Sequence, residues 1–224
     1  MIFFQCLASV TIAMGPAFLP YAGPVFDRCN NIIHSSLLQY QQYQQNSELD
    51  EPDKAFLVVA LDLLSGLIQG LGMSLEQLLA ASNPNLLSLL TVCLKHPQAP
   101  VRQSAYALVG DLAMGCFALL RPAMPGIMQE LIGQLDPEPK FEFVSASNNA
   151  AWSVGEVSLR YGRGMFFFCP SPSYIYLTEL PPQTSPNSSN GSNLSFQGSF
   201  LFFCTLKRRG VCTRMPRFQS GGSG

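Results

Sequence analysis

Charge is scarce in this sequence. Asp, Glu, Lys and Arg make up 12% of the 224 residues, where a typical soluble domain carries about a quarter. Such a surface is either unusually apolar or covered by a partner. Histidine is scarcer still. His34 has no acidic residue three or four positions away, and His96 lies beside Pro97 in what reads as a solvated turn. The sequence contains no G-x-S-x-G, no phosphate-binding loop, no G-x-G-x-x-G after a strand and no H-E-x-x-H, so nothing in it points to an enzyme. The seven cysteines form no C-x-x-C pair, and neither histidine lies near a cysteine cluster, which argues against a zinc site and implies neither metal nor cofactor. Their odd number in a helix-rich chain fits a reducing compartment better than a disulfide scaffold.

Long apolar runs are also missing. None reaches the ~18–20 residues that cross a bilayer, and MFFFC at 165–169 and FLFFC at 200–204 are too short. The opening MIFFQCLASVTIAMG has no basic n-region and runs on into helical pattern, so it is read as helix rather than signal peptide. No membrane partner is expected.

What charge there is divides unevenly. Residues 1–161 carry seven Lys/Arg against thirteen Asp/Glu, and residues 162–224 carry six against one. An acidic body suits basic partners and argues against nucleic acid.

The body reads as helices. Two are expected at 10–19 and 24–45, around Pro20 and Pro24, followed by a polar stretch at 41–54. AFLVVALDLLSGLIQGL at 55–71 is apolar with helical spacing. SLEQLLAA at 74–81 opens with Ser74 and Gln77 in capping-box spacing. NLLSLLTVCLK at 85–95 is followed by the turn HPQAP and a helix from about 101. Residues 122–135 read as a helix opened by Pro122 and interrupted near Pro125, and 143–160 as the last helix.

These helices repeat. LDLLSGL (61–67), YALVGDL (106–112) and AWSVGEV (151–157) align on Gly66, Gly110 and Gly155, 44 and 45 residues apart. Helical arrays of the HEAT and armadillo kind have periods of about 40–47 residues. A mid-helix glycine costs about 1 kcal/mol relative to alanine, so three in one register suggest a shared need for close helix packing. Counted from each glycine at ~100° per residue, Asp62, Asp111 and Trp152 fall within one broad helix face, with Gln69, Gln103 and Glu156 in the same sector. Stacked repeats would align such faces into one surface. Two acids beside an exposed indole suit an extended segment with basic and apolar side chains. Pattern alone leaves open the other reading, in which Trp152 is core and the acids are merely solvated.

After Tyr161 the helical period stops. Residues 162–224 are rich in Pro, Ser, Asn and Gly and are expected to be a separate, disordered tail. The tail contains three N-x-S tripeptides, at Asn187, Asn190 and Asn193, and the basic cluster Lys207–Arg209. These read as low complexity and a solvated charge cluster.

VTIAMGPAFLPYAGPVFDRC (10–29), ALDLLSGLIQGLG (60–72), VRQSAYALVGDLA (101–113) and SNNAAWSVGEVS (147–158) resemble the transportin, or karyopherin-β2, branch of the importin-β family, in order and approximate spacing. The resemblance covers roughly residues 9–161 and corresponds to part of the family's C-terminal, cargo-binding arch. It implies an all-α solenoid of HEAT-type hairpins in an import receptor shuttling between cytoplasm and nucleus. It further implies binding of import signals of the proline-tyrosine type, which are extended, basic and disordered before binding. Asp62, Asp111 and Trp152 match cargo-contacting positions, Val58 an apolar neighbour and Gln103 a polar one. Gln69 departs from the family pattern, which is acidic there. Nucleoporins and Ran-GTP are partners of the full-length family, and the main Ran site lies in the arch this sequence does not include. MIFFQCLA and everything after about Arg160 are unlike the family's helices. The alternative is a HEAT scaffold that binds a folded partner and has no transport role.

Overall fold

The computed structural model describes residues 2–46, 48–136 and 139–161, with side chains from Cys6 onward. The expected tail at 162–224, with its N-x-S tripeptides and basic cluster, lies outside the described residues.

The elements, in order, are α1 (Ile2–Met14), α2 (Leu19–Gln45), α3 (Ala55–Leu71), α4 (Glu76–Ala80), α5 (Leu86–Leu94), α6 (Ala99–Gly115), α7 (Phe117–Leu120), α8 (Met124–Gly133) and α9 (Val144–Tyr161). No strand occurs among the described residues. α2 packs on α3, α5 on α6 and α8 on α9, giving three hairpins. The second helices of these hairpins stack on one another in the order α3, α6, α9, and α1 extends that layer in front of α3. α2, α5 and α8 form the other layer, with lighter contacts between them. The fold is an α-solenoid, as the 44- and 45-residue glycine spacing predicts.

Local chemistry explains the elements. α3 is apolar nearly all round because α1, α2 and α6 enclose it, and Leu57, Leu61, Leu64 and Leu67 are all buried. It ends at Gly72, whose φ of +51° is open to glycine and strained for other residues. α5 starts at Asn85, whose side chain accepts the Ser88 N–H at 3.1 Å. Tyr106 is fully buried in the second hairpin, and its hydroxyl donates to the Leu94 carbonyl at 3.1 Å.

Several local expectations are corrected. α1 begins at Ile2, well before residue 10, and a 3-10 turn (Gly15–Phe18) separates it from α2. Pro24 lies inside α2 rather than ahead of a helix, one turn beyond Pro20 at its N-terminus. Ser74 caps nothing: residues 72–75 form a 3-10 turn and neither it nor α4 has a side-chain cap. Pro125 sits in the first turn of α8, where its missing N–H costs nothing, so the helix restarts there rather than breaking. His96 is 4% exposed and not a solvated turn residue, because the Tyr40 ring of α2 lies 4.5 Å from it.

Two helical stretches, Cys6–Gln45 and Ala55–Ala80, are long and apolar enough to cross a membrane by length and composition, although neither holds an unbroken apolar run. The second is the core helix α3 continued through α4, and most of it is buried. The first is broken by the turn at Gly15–Phe18.

Two of the three repeating glycines, Gly66 and Gly110, lie where a neighbouring helix approaches closely. A Cβ added at Gly66 would stand 2.7 Å from the Ala8 Cβ and 2.9 Å from its Cα. On an open helix face, Gly→Ala would gain about 1 kcal/mol in propensity. Here α1 would have to move, and overpacking of this kind costs about 1–3 kcal/mol. Gly66→Ala is therefore expected to lower Tm by a few degrees in a thermal melt, whereas Gly23→Ala, where a Cβ meets nothing within 4 Å, should not.

Candidate functional site: the α3–α6–α9 layer

Val58, Asp62, Ser65 and Gln69 follow one another at intervals of four, three and four residues along α3, which puts them in one stripe. Polar contacts turn that stripe towards α6. Gln69 donates through Nε2 to Oδ1 of Asp111 at 3.1 Å. The Ser104 hydroxyl faces Asp62 and favours its charged form. Ser104 and Asp111 are seven residues apart, about 10 Å along the helix axis, so the two acids sit at separate stations on the α3–α6 seam. Val58 and Asp62 are half-buried and Gln69 is exposed.

The α6–α9 seam is tighter. The indole of Trp152 lies directly on Gly110, where a Cβ would collide with its Cε3, Cζ3 and Cη2 atoms. Asn149 donates to the Gln103 carbonyl at 3.0 Å, and the Ser153 hydroxyl donates to the Tyr106 carbonyl. Trp152 and Gln103 are both half-buried. The tryptophan is thus neither sealed in the interior nor free: one part packs on the α6 backbone and the rest meets solvent. Gly110 and Asp111 are consecutive, so Trp152 and Asp111 lie at one level along α6 while Gly110 faces α9 and Asp111 bonds to α3.

Asp111 differs most from a simple surface acid. It is 2% exposed. Burial is the main cause that raises its carboxyl pKa, to about 6. The Gln69 hydrogen bond and the nearby Ser65 hydroxyl pull it down, and the Glu156 carboxylate pushes it up. The Ser65 hydroxyl itself does not reach hydrogen-bond geometry, so its pull is the weaker sort. Asp62 is also raised by burial, against the pull of the Ser104 hydroxyl.

Glu156 occupies in α9 the position after glycine that Asp111 occupies in α6, and it is 1% exposed. Its Oε2 accepts from Arg160 at 2.6 Å, one turn away, while Oε1 has no hydrogen-bond partner. The i,i+4 order of Glu and Arg was visible in the sequence. Ser104, Asn149 and Ser153 joined the site only in the structure, since no spacing rule marks a side chain whose partner lies 42 to 47 residues away. Among the described residues, no three of His, Cys, Asp and Glu gather as metal ligands would.

The raised Asp111 pKa has a definite sign. Its stabilising contribution is full below the unfolded value near 4 and is lost as pH rises through about 6. Asp111→Asn keeps an acceptor for Gln69 and removes the charge. Urea melts should show the variant more stable than wild type at pH 7.5 by about 1–3 kcal/mol, with that advantage gone by pH 4.

No family model matches the chain. Among curated proteins, Transportin-1 from Homo sapiens is 42% identical over 167 residues, covering 74% of this chain and 18% of the relative. Importin subunit beta-2 from Schizosaccharomyces pombe is 40% identical over 162 residues, 72% of this chain and 18% of the relative. Transportin-1 from Oryza sativa subsp. japonica is 38% identical over 192 residues, 85% of this chain and 20% of the relative. The chain thus spans about a fifth of the length of the curated relatives it matches. Relatives from an animal, a yeast and a plant each match more than two thirds of the chain at 38–42% identity, and the chain belongs to the transportin, or importin β-2, family.

Proposed function

We propose that the α3–α6–α9 layer binds an extended, basic import signal of the proline-tyrosine type on a cargo protein, as part of a nuclear import receptor that shuttles between cytoplasm and nucleus. The observation that carries this reading is the placement of Trp152. The only tryptophan in the chain lies half-exposed on a bare stretch of helix backbone, at the level on α6 where Asp111 pairs with Gln69 on the α3 side. An aromatic held in this way offers a large contact face at little entropic cost, and a cation–π surface to a ligand Lys or Arg. Asp62 and Val58 supply a second station of charge and apolar surface, and Gln103 and Gln69 supply polar rim contacts. Asp111 acts from beneath, fixing Gln69 and adding negative potential without direct exposure.

The layer has no catalytic role in this reading. Nucleoporins and Ran-GTP are partners of the full-length receptor, outside the surface described here. Three hairpins offer only part of a long signal-binding surface, so the affinity of this chain alone is expected to be weak.

Titration of the full chain with a fluorescein-labelled proline-tyrosine signal peptide, followed by anisotropy and by Trp152 emission, tests the proposal. Asp62→Lys together with Trp152→Ala should weaken binding at least about tenfold, the loss expected of an aromatic anchor and a charge partner. Asp62→Lys alone, which leaves the α6–α9 packing intact, should weaken it several-fold. Equal binding by wild type and the double variant would rule out this surface.

A further inference from the structure

Away from that layer, His96 is the second of the two histidines and one of the most enclosed polar side chains. It occupies the turn between α5 and α6, and every contact it makes ties that turn to something else. Its Nδ1 accepts the Gln98 N–H at 3.2 Å, which fixes the neutral ring with its proton on Nε2. Its carbonyl accepts Nη1 of Arg102 at 2.7 Å. Its ring lies 4.5 Å from Tyr40 in α2, the preceding hairpin. Gln98, one residue past Pro97, reaches back to Oε1 of Glu51 in the α2–α3 loop at 2.6 Å. Nε2 is buried with no hydrogen-bond partner, and the imidazole borders a cavity of about 10 Å³ whose wall includes Ser36, Tyr40, Glu51 and Leu57.

This arrangement holds only for the uncharged ring. A proton on Nδ1 removes the acceptor of the part-buried Gln98 N–H. It also places a cation in an enclosed site beside Arg102. The facing groups do not compensate. Arg102 of α6 opposes the charge, and Glu51 of the loop favours it less strongly than burial and Arg102 oppose it. Asp53 and Lys54 of the same loop line the cavity as a pair of opposite sign. Tyr40 of α2 is neutral, and Lys95 on the His96 turn is directed to Glu130 at 3.1 Å. Burial is the first cause holding the His96 pKa below its ordinary value.

We propose that His96 is a proton-operated latch between the first and second hairpins: uncharged, it locks the α5–α6 turn to Tyr40 and the α2–α3 loop, and protonated, it releases them. The sign follows from linkage. A histidine whose folded form resists protonation contributes stability that is present above about pH 6.5 and is lost as pH falls towards its lower folded value. Release therefore loosens the joint between two repeats on mild acidification, while the rest of the stack keeps its packing.

Hydrogen exchange of the full chain, corrected for intrinsic rates, tests the latch at pH 7.5 and 5.5. Peptides covering 46–57 and 95–99 should lose protection several-fold at the lower pH, and peptides of α6 and α9 should not. His96→Asn retains an acceptor for the Gln98 N–H through a side chain that does not titrate, and should abolish the pH dependence. Unchanged protection in wild type, or the same loss in His96→Asn, would overturn the proposal. If the variant does not fold, the imidazole resonances of the wild type decide. His96, distinguished from His34 by a His34→Gln variant, must titrate below the ordinary value of about 6.5, and titration at or above that value refutes the latch.

Discussion

The stack depends on how close its second helices come to each other. Side chains of ordinary size hold helix axes 8–10 Å apart. At Gly66 and Gly110 there is no side chain, and the neighbouring helix fills the space: Ala8 of α1 in one case, the Trp152 indole of α9 in the other. Each glycine forgoes about 1 kcal/mol of helix propensity, and what it gains is contact with a neighbouring repeat, the source of stability in a quasi-one-dimensional fold. The two glycines occupy the same register but face opposite directions, Gly66 back towards α1 and Gly110 forward towards α9. The repeat thus conserves the position of the gap within the chain, while the neighbour that uses it changes from one repeat to the next.

That asymmetry also positions the candidate site. Because a large ring fills the Gly110 gap, Trp152 is anchored on one side and presents its remainder. A small residue like Ala8 in the same gap leaves nothing to present. The polar residues follow the same seams. Gln69 meets Asp111 and Ser104 meets Asp62 between α3 and α6, and Asn149 and Ser153 meet backbone carbonyls between α6 and α9. Buried polar groups need partners, and here the partners are taken from the adjacent repeat. The hydrogen bonds that satisfy the layer therefore also set the offset of one hairpin from the next.

Legibility in the sequence followed the range of the interactions. The hairpins were legible because hydrophobic period and a 44- to 45-residue repeat are local or nearly local signals, and α3 was read to the residue. Errors came where a short-range rule met a longer-range contact. Pro20 and Pro24 suggested a break, yet α2 runs through both. Ser74 and Gln77 had capping-box spacing, but the chain there turns in 3-10 geometry after Gly72 and the box does not form. His96 looked like a solvated turn residue because Pro97 follows it, and only the fold brings Tyr40 across 56 positions to cover it. For the site, angle counting put Asp62, Asp111 and Trp152 in one broad sector, whereas the fold spreads them over two seams, Asp62 and Asp111 between α3 and α6 and Trp152 between α6 and α9. The degree of burial was not legible, because it depends on how near α3 and α9 come to α6.

Burial changes what the acids can do for a ligand. A carboxylate in water offers a screened attraction, while one enclosed between helices acts through a lower dielectric but resists ionisation. Asp111, with its pKa near 6, is mostly charged at neutral pH and is one modest shift away from neutrality. A cation arriving at Trp152 would favour its charged form and so share in undoing the desolvation that burial imposed. In the proposed reading, binding and ionisation of Asp111 would be linked, and attraction for a basic segment would strengthen as the segment seats. Glu156, equally buried, is paired with Arg160 within its own helix. The register that makes the two residues equivalent in sequence leaves them unequal in chemistry, and the difference lies in whether a basic partner is supplied by the chain or by the ligand.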